Sequence, residues 1–95
     1  MAIRQYGFAM ANLQEVPRRN TKDPDAERFG AAIRRLRDEH GWTQDELASR
    51  AGMNASYLGF VERGENVPTL TVILLLAETL GVDAGDLVRQ VARRR

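Results

Sequence analysis

The sequence predicts an all-α domain of five short helices, and three observations carry that prediction. Five segments open on a residue suited to capping a helix N-terminus: Asp23, Thr43, Asn54, Thr69 and Asp83. The breaks between them fall at glycines able to adopt the left-handed conformation: Gly41, Gly52, Gly64 and Gly81. Apolar residues recur at helical spacing between those signals, and no strand pattern or internal repeat competes. A chain of 95 residues can bury a single modest core, and helices joined by brief turns imply helix-on-helix layers.

The first helix opens at Asp23-Pro24, where proline is tolerated because its missing N–H would lack a partner anyway. It runs to about Glu39, places Phe29, Ile33 and Leu36 on one face, and stops at His40-Gly41. Here His40 has a structural reading, as a side chain favourable to the negative end of the helix dipole. The second start is the strongest in the chain. Thr43-Gln44-Asp45-Glu46 is a capping box, with Trp42 and Leu47 as the partners of a hydrophobic staple. Trp42 is therefore read as packing. Asn54 caps the third helix after the break at Ala51-Gly52-Met53, with Met53 and Leu58 as a second staple. That helix ends before Gly64. Thr69 caps a fourth that ends at Leu80-Gly81, and Val82-Asp83 opens a fifth in which Leu87 is the staple partner.

Residues 1–22 are less regular. Ile3, Tyr6, Met10 and Leu13 fit one helical face, whereas Tyr6, Phe8 and Met10 alternate like a strand. The segment is read as an arm that packs on the core or on a partner.

Composition excludes several functions. Without cysteine there are no disulfides or thiolate metal sites, which fits a reducing, cytoplasmic setting. With His40 as the lone histidine, a His-rich metal site is excluded, and no cofactor is expected. No apolar run approaches a membrane span and no secretory signal is recognisable. No nucleophile, base and orienting group fall at catalytic spacing, so the chain is not read as an enzyme. Net charge is +1 but uneven: residues 1–24 carry +2, residues 43–82 carry −3 and residues 83–95 return +2. Any DNA binding must therefore rest on a few well-placed groups rather than on bulk attraction. The three terminal arginines are read as a solvated tail.

The helices at 43–50 and 54–63 have the requirements of a helix-turn-helix. Ala48 is the small residue where the helices cross, Gly52 is the turn residue, and Leu58 and Val61 anchor the second helix. Stepping roughly 100° per residue puts Asn54, Tyr57, Leu58 and Val61 on or beside the buried side. Ala55, Ser56, Gly59, Phe60 and Arg63 fall opposite, on the face a recognition helix offers to the major groove.

Residues 29–82 resemble the phage-repressor-like helix-turn-helix family (the Cro/repressor or XRE type) through FGAAIRRLRDEHGWTQDELASRAGMN, SYLGFVERGENVPTL and LLLAETLGV. The resemblance implies a five-helix lambda-repressor-like fold, with a helix-turn-helix DNA-binding domain at 23–82, preceded by the arm at 1–22 and followed by a C-terminal helix and basic tail at 83–95. It implies that Gln44, with Thr43 beside it, and Asn54 contact phosphate. Ala55, Ser56 and Phe60 match base-reading positions, Gly59 lies between them, and Tyr57 flanks the same surface. Arg63 and Asn66 would approach backbone phosphates, and Arg37 and Glu62 match a family ion pair. The departure from the family is the scarcity of long polar readers: of the base-reading set only Ser56 can hydrogen-bond through its side chain. Ala55 and Phe60 would contact thymine methyl groups, with DNA shape supplying further specificity. Alternatively, Phe60 faces a protein.

A homodimer is expected from the fourth helix. Leu70, Ile73, Leu74, Leu76, Ala77 and Leu80 are taken as its core stripe, leaving Val72 and Leu75 as an exposed aliphatic patch extended by Val88 or Val91. The other reading is that the arm covers this patch. The leading function is a stand-alone transcriptional regulator that binds double-stranded DNA, most simply a repressor at a near-palindromic operator. No room is expected after the fifth helix for an effector-sensing domain. The alternative is a protein-interaction module, such as an antitoxin or an adaptor, with a protein partner.

Overall fold

The computed structural model describes residues 23–93. Over them the chain forms α1 (Pro24–His40), α2 (Gln44–Ala51), α3 (Ala55–Glu62), α4 (Leu70–Leu80) and α5 (Ala84–Ala92), with no strand among the described residues. The arm at 1–22 and the last two arginines lie outside the described residues.

Each helix begins where the local chemistry demands. Asp23 accepts from the backbone N–H groups of Asp25 and Ala26, and Pro24 follows at the first helical position. Thr43 and Glu46 form the full capping box, with Thr43 Oγ1 accepting at 3.1 Å from Glu46 N and Glu46 Oε1 accepting at 2.8 Å from Thr43 N. Asn54, Thr69 and Asp83 cap the remaining three helices. Between α2 and α3 the chain reverses at Gly52, whose φ of 71° is a conformation in which a Cβ would clash with its own backbone. Gly52 N–H donates to Ser49 O and Met53 N–H to Ala48 O, satisfying carbonyls that α2 would otherwise leave open.

Helix α1 is the spine, packing on α3, α4 and α5, while α2 packs on α3 and α4. Ile33, Leu47, Leu58, Val61, Leu76 and Leu87 form the centre of the resulting core, each almost wholly removed from water. A close crossing joins α1 to α3. A Cβ on Gly30 would lie 2.2 Å from the Val61 carbonyl oxygen and 2.5 Å from that of Glu62, so only glycine permits the approach. A glycine inside a helical pattern is the signal that marks such a position in a sequence. Among the described residues no helix is long and apolar enough to cross a membrane.

The structure corrects the reading of α4. Val72 is fully buried and Leu75 nearly so, whereas Leu70 is 69% exposed and Leu74 50%. The pair expected at a dimer interface is therefore core, and two residues expected in the core face solvent. The helix is apolar on nearly every side, so its sequence carries little phase information. Its neighbours α1, α2 and α5 select the stripe Val72, Leu75, Leu76 and Leu80, at spacings i, i+3, i+4 and i+8. Val88 is exposed and Val91 half-buried, and both line a shallow groove with the half-buried Ile73 of α4 and with Val67.

Candidate nucleic-acid interface

The capping of α2 and α3 brings two helix N-termini to the surface, each with backbone N–H groups directed outward. Thr43 is exposed at the first and Asn54 at the second. Asn54 Oδ1 accepts from Ser56 N at 2.7 Å and from Tyr57 N at 3.3 Å, so its amide nitrogen is left for other partners. Gln44, the first residue of α2, is half-buried.

Helix α3 divides into two faces. Leu58 and Val61 point into the core, as the spacing requires. Tyr57 joins them at 1% exposure, so it does not flank the outer surface as the resemblance implied. It lies four residues, about one turn, before Val61, and its ring is drawn into the same apolar cluster. Its hydroxyl is buried with no hydrogen-bond partner, and desolvation pushes the phenol up to about 12. Ser56 and Arg63 are exposed, and Phe60 is half-buried. Ala55 is half-buried against the core rather than fully presented. Asn66, in the loop beyond α3, is half-buried.

Gly59, expected on the open face of the helix, is instead buried, because side chains arriving from two directions cover it. A Cβ there would lie 3.1 Å from Nη1 of Arg63 and 3.6 Å from Oε1 of Gln44. The start of α2 and the outer face of α3 thus meet over a bare stretch of helix backbone. The Arg63 guanidinium also lies over the Phe60 ring, 5.3 Å from its centroid, and its Nη2 donates to Glu65 at 3.3 Å.

Beneath this surface Glu62 is the hub. Its carboxylate accepts from Arg37 Nε at 2.7 Å and Nη2 at 2.9 Å, and from Gln44 Nε2 at 2.9 Å. Arg37 Nη1 donates to the Trp42 carbonyl at 2.9 Å, tying the same guanidinium to the α1–α2 turn. The hydrogen bond to Glu62 raises the affinity of Arg37 for its proton, against the opposing pull of burial. The contact between Gln44 and Glu62 had no signal in the sequence, since residues eighteen apart meet only through the motif's turn. A second unforeseen feature lies at the α1–α2 junction. His40 stacks on Trp42 with centroids 4.1 Å apart, Arg50 sits 4.3 Å from the Trp42 centroid, and His40 Nε2 bonds Leu80 O at 2.8 Å.

Residues 33–87 match the family model described as helix-turn-helix. The chain is 42% identical over 59 residues to the uncharacterized HTH-type transcriptional regulator y4dJ of Sinorhizobium fredii, covering 62% of this chain and 77% of that protein. It is 36% identical over 63 residues to the uncharacterized HTH-type transcriptional regulator YazB of Bacillus subtilis, covering 66% and 91%. Among solved structures it is similar to the restriction-modification controller protein C.AhdI from Aeromonas hydrophila, with 40% identity, a TM-score of 0.64, and coverage of 66% of this chain and 96% of that one. It is also similar to the clp gene regulator ClgR from C. glutamicum, with 28% identity, a TM-score of 0.67, and coverage of 74% and 91%. The matched span contains both motif helices and the Glu62 hub that joins them to α1, and on these grounds the chain belongs to the helix-turn-helix family of transcriptional regulators.

Proposed function

We propose that this regulator works as a homodimer on a near-palindromic, double-stranded operator and represses by occupying it. The observation that carries the reading is the meeting of Gln44 and Arg63 over Gly59, which makes the start of α2 and the outer face of α3 one surface. Thr43 and Asn54 at the two helix starts, with the backbone N–H of Gln44, are suited to phosphate, while Ser56 and Phe60 face the bases. The similarity to a restriction-modification controller and to a gene regulator supports a regulatory role. Dimerisation rests on a surface that keeps Val88 of the residues the sequence pointed to and replaces Val72 and Leu75: Val67, Leu70, Leu74 and Val88 are exposed aliphatics. A two-fold contact there would present two recognition helices to half-sites about 34 Å apart, one turn of DNA.

The scarcity of long polar readers and the exposed Asp45 and Glu46 on α2 favour a second reading, in which the Phe60 face binds a protein and DNA is not engaged. Titration with duplex DNA from the protein's own locus and with random duplex, each at two salt concentrations, separates them. The operator reading expects two chains per site and tight binding to locus DNA that weakens as salt rises. Equal and feeble binding to both duplexes would refute it.

A further inference from the structure

We propose that Arg63 reads a base, selecting a guanine in each half-site, and that Gly59 and Phe60 are the residues that aim it. This rests on the operator-binding reading and departs from the phosphate contact that the resemblance implies for this position.

The geometry begins with an omission. Helical side chains lean toward the helix N-terminus, so a residue at the end of α3 covers the position one turn earlier. That earlier position is Gly59, and in place of a side chain it carries the guanidinium of Arg63, with Nη1 3.1 Å from where a Cβ would stand. Arg63 is thereby brought from the edge of α3 onto the middle of its outward face. Phe60 supports the guanidinium at 5.3 Å, and Glu65 holds Nη2 from the far side at 3.3 Å.

Two features favour a base over a phosphate. The Glu65 carboxylate offsets the net charge of Arg63 and takes one Nη2 hydrogen, leaving Nε, Nη1 and the second Nη2 hydrogen of the planar fork as donors. Phosphate attraction depends chiefly on net charge, whereas guanine recognition depends on the fork meeting O6 and N7 together. The second feature is Gln44. The Glu62 carboxylate can only accept, so the Gln44 amide must turn its nitrogen inward, as the 2.9 Å contact has it. Its carbonyl oxygen then faces Gly59 and Arg63. An acceptor in that place cannot bind a phosphate oxygen but can receive a base amino group beside the guanine. The readers missing from the side chains of α3 itself are supplied from its end and from the start of α2.

The test is selection of binding sites from a randomised duplex library by the full chain, followed by affinities for every single-base change in the selected site. Wild type, Arg63→Lys, Arg63→Ala and Gly59→Ala are compared at two salt concentrations. The expected result is one guanine per half-site whose replacement costs wild type about 5- to 150-fold. Arg63→Lys keeps the charge but loses the rigid fork, so the preference at that base pair should weaken while the others and the salt dependence persist, and Arg63→Ala should abolish it. Gly59→Ala should weaken the same preference by displacing Nη1. If Arg63→Ala weakens binding to all sequences alike, lowers the salt slope by about one, and Arg63→Lys restores it, Arg63 touches phosphate and the inference is overturned with the operator reading intact. Failure of the wild type to enrich any site overturns both.

Discussion

Arg37 grips Glu62 through two parallel hydrogen bonds, 2.7 Å from Nε and 2.9 Å from Nη2, with the Glu62 side chain only 2% exposed and that of Arg37 11%. Removing the arginine strands a buried carboxylate, which outweighs any attraction lost. Arg37→Ala is therefore expected to destabilise the fold by about 3–5 kcal/mol, read from denaturant unfolding. An unchanged midpoint would show that the pair does not join α1 to α3 energetically.

Gly30→Ala should be costly although alanine is the better helix former. The added methyl would meet backbone oxygens of Val61 and Glu62, which cannot swing aside as a side chain can. The expected loss is about 1–3 kcal/mol or more, as for other overpacked positions. Ala31→Gly, at the exposed neighbouring position, should cost only about 0.5–1 kcal/mol, and the contrast in melting temperature checks the assignment.

Tyr57→Phe removes a hydroxyl that is buried without a partner. The variant is expected to be at least as stable as the parent at neutral pH, because no hydrogen bond is lost and a desolvated polar group is eliminated. The phenol is raised from 10.0 to about 12 in the folded chain, so its titration leaves stability untouched below pH 10 and lowers it as pH climbs toward 12, where the unfolded chain ionises first. Unfolding curves of the parent should weaken across that window more steeply than those of Tyr57→Phe. Equal slopes would place the hydroxyl in water.

Leu70→Glu and Leu74→Glu should yield monomers with unaltered circular dichroism, since both positions face solvent. Leu75→Glu, at 9% exposure, should instead unfold the chain. Sedimentation of all three decides the matter: dimers from both Leu70→Glu and Leu74→Glu would remove this face from the assembly.

The legible parts of the fold were those fixed by neighbours in sequence. Thr43 with Glu46, Asn54 before α3 and the left-handed Gly52 are local devices, and each helix boundary followed from them. What was not legible depended on residues far along the chain. The phase of α4 is set by three other helices, so Val72 and Leu70 exchanged roles. Tyr57 looked half-exposed on a helical wheel, yet the core encloses it. In the candidate interface the residue types were readable, but the convergence of Gln44 and Arg63 required the motif's turn to bring two helices together.

Trp42 is the single tryptophan of the chain, and both the imidazole of His40 and the guanidinium of Arg50 pack on its ring where α1 hands over to α2. The molecule therefore carries a built-in optical probe at the entrance to its motif. Emission from this indole will report the parting of α1 from α2 without any introduced label. Because Arg37 holds the Trp42 carbonyl and Glu62 together, a ligand that displaces Gln44 from Glu62 is expected to change the emission of the same indole.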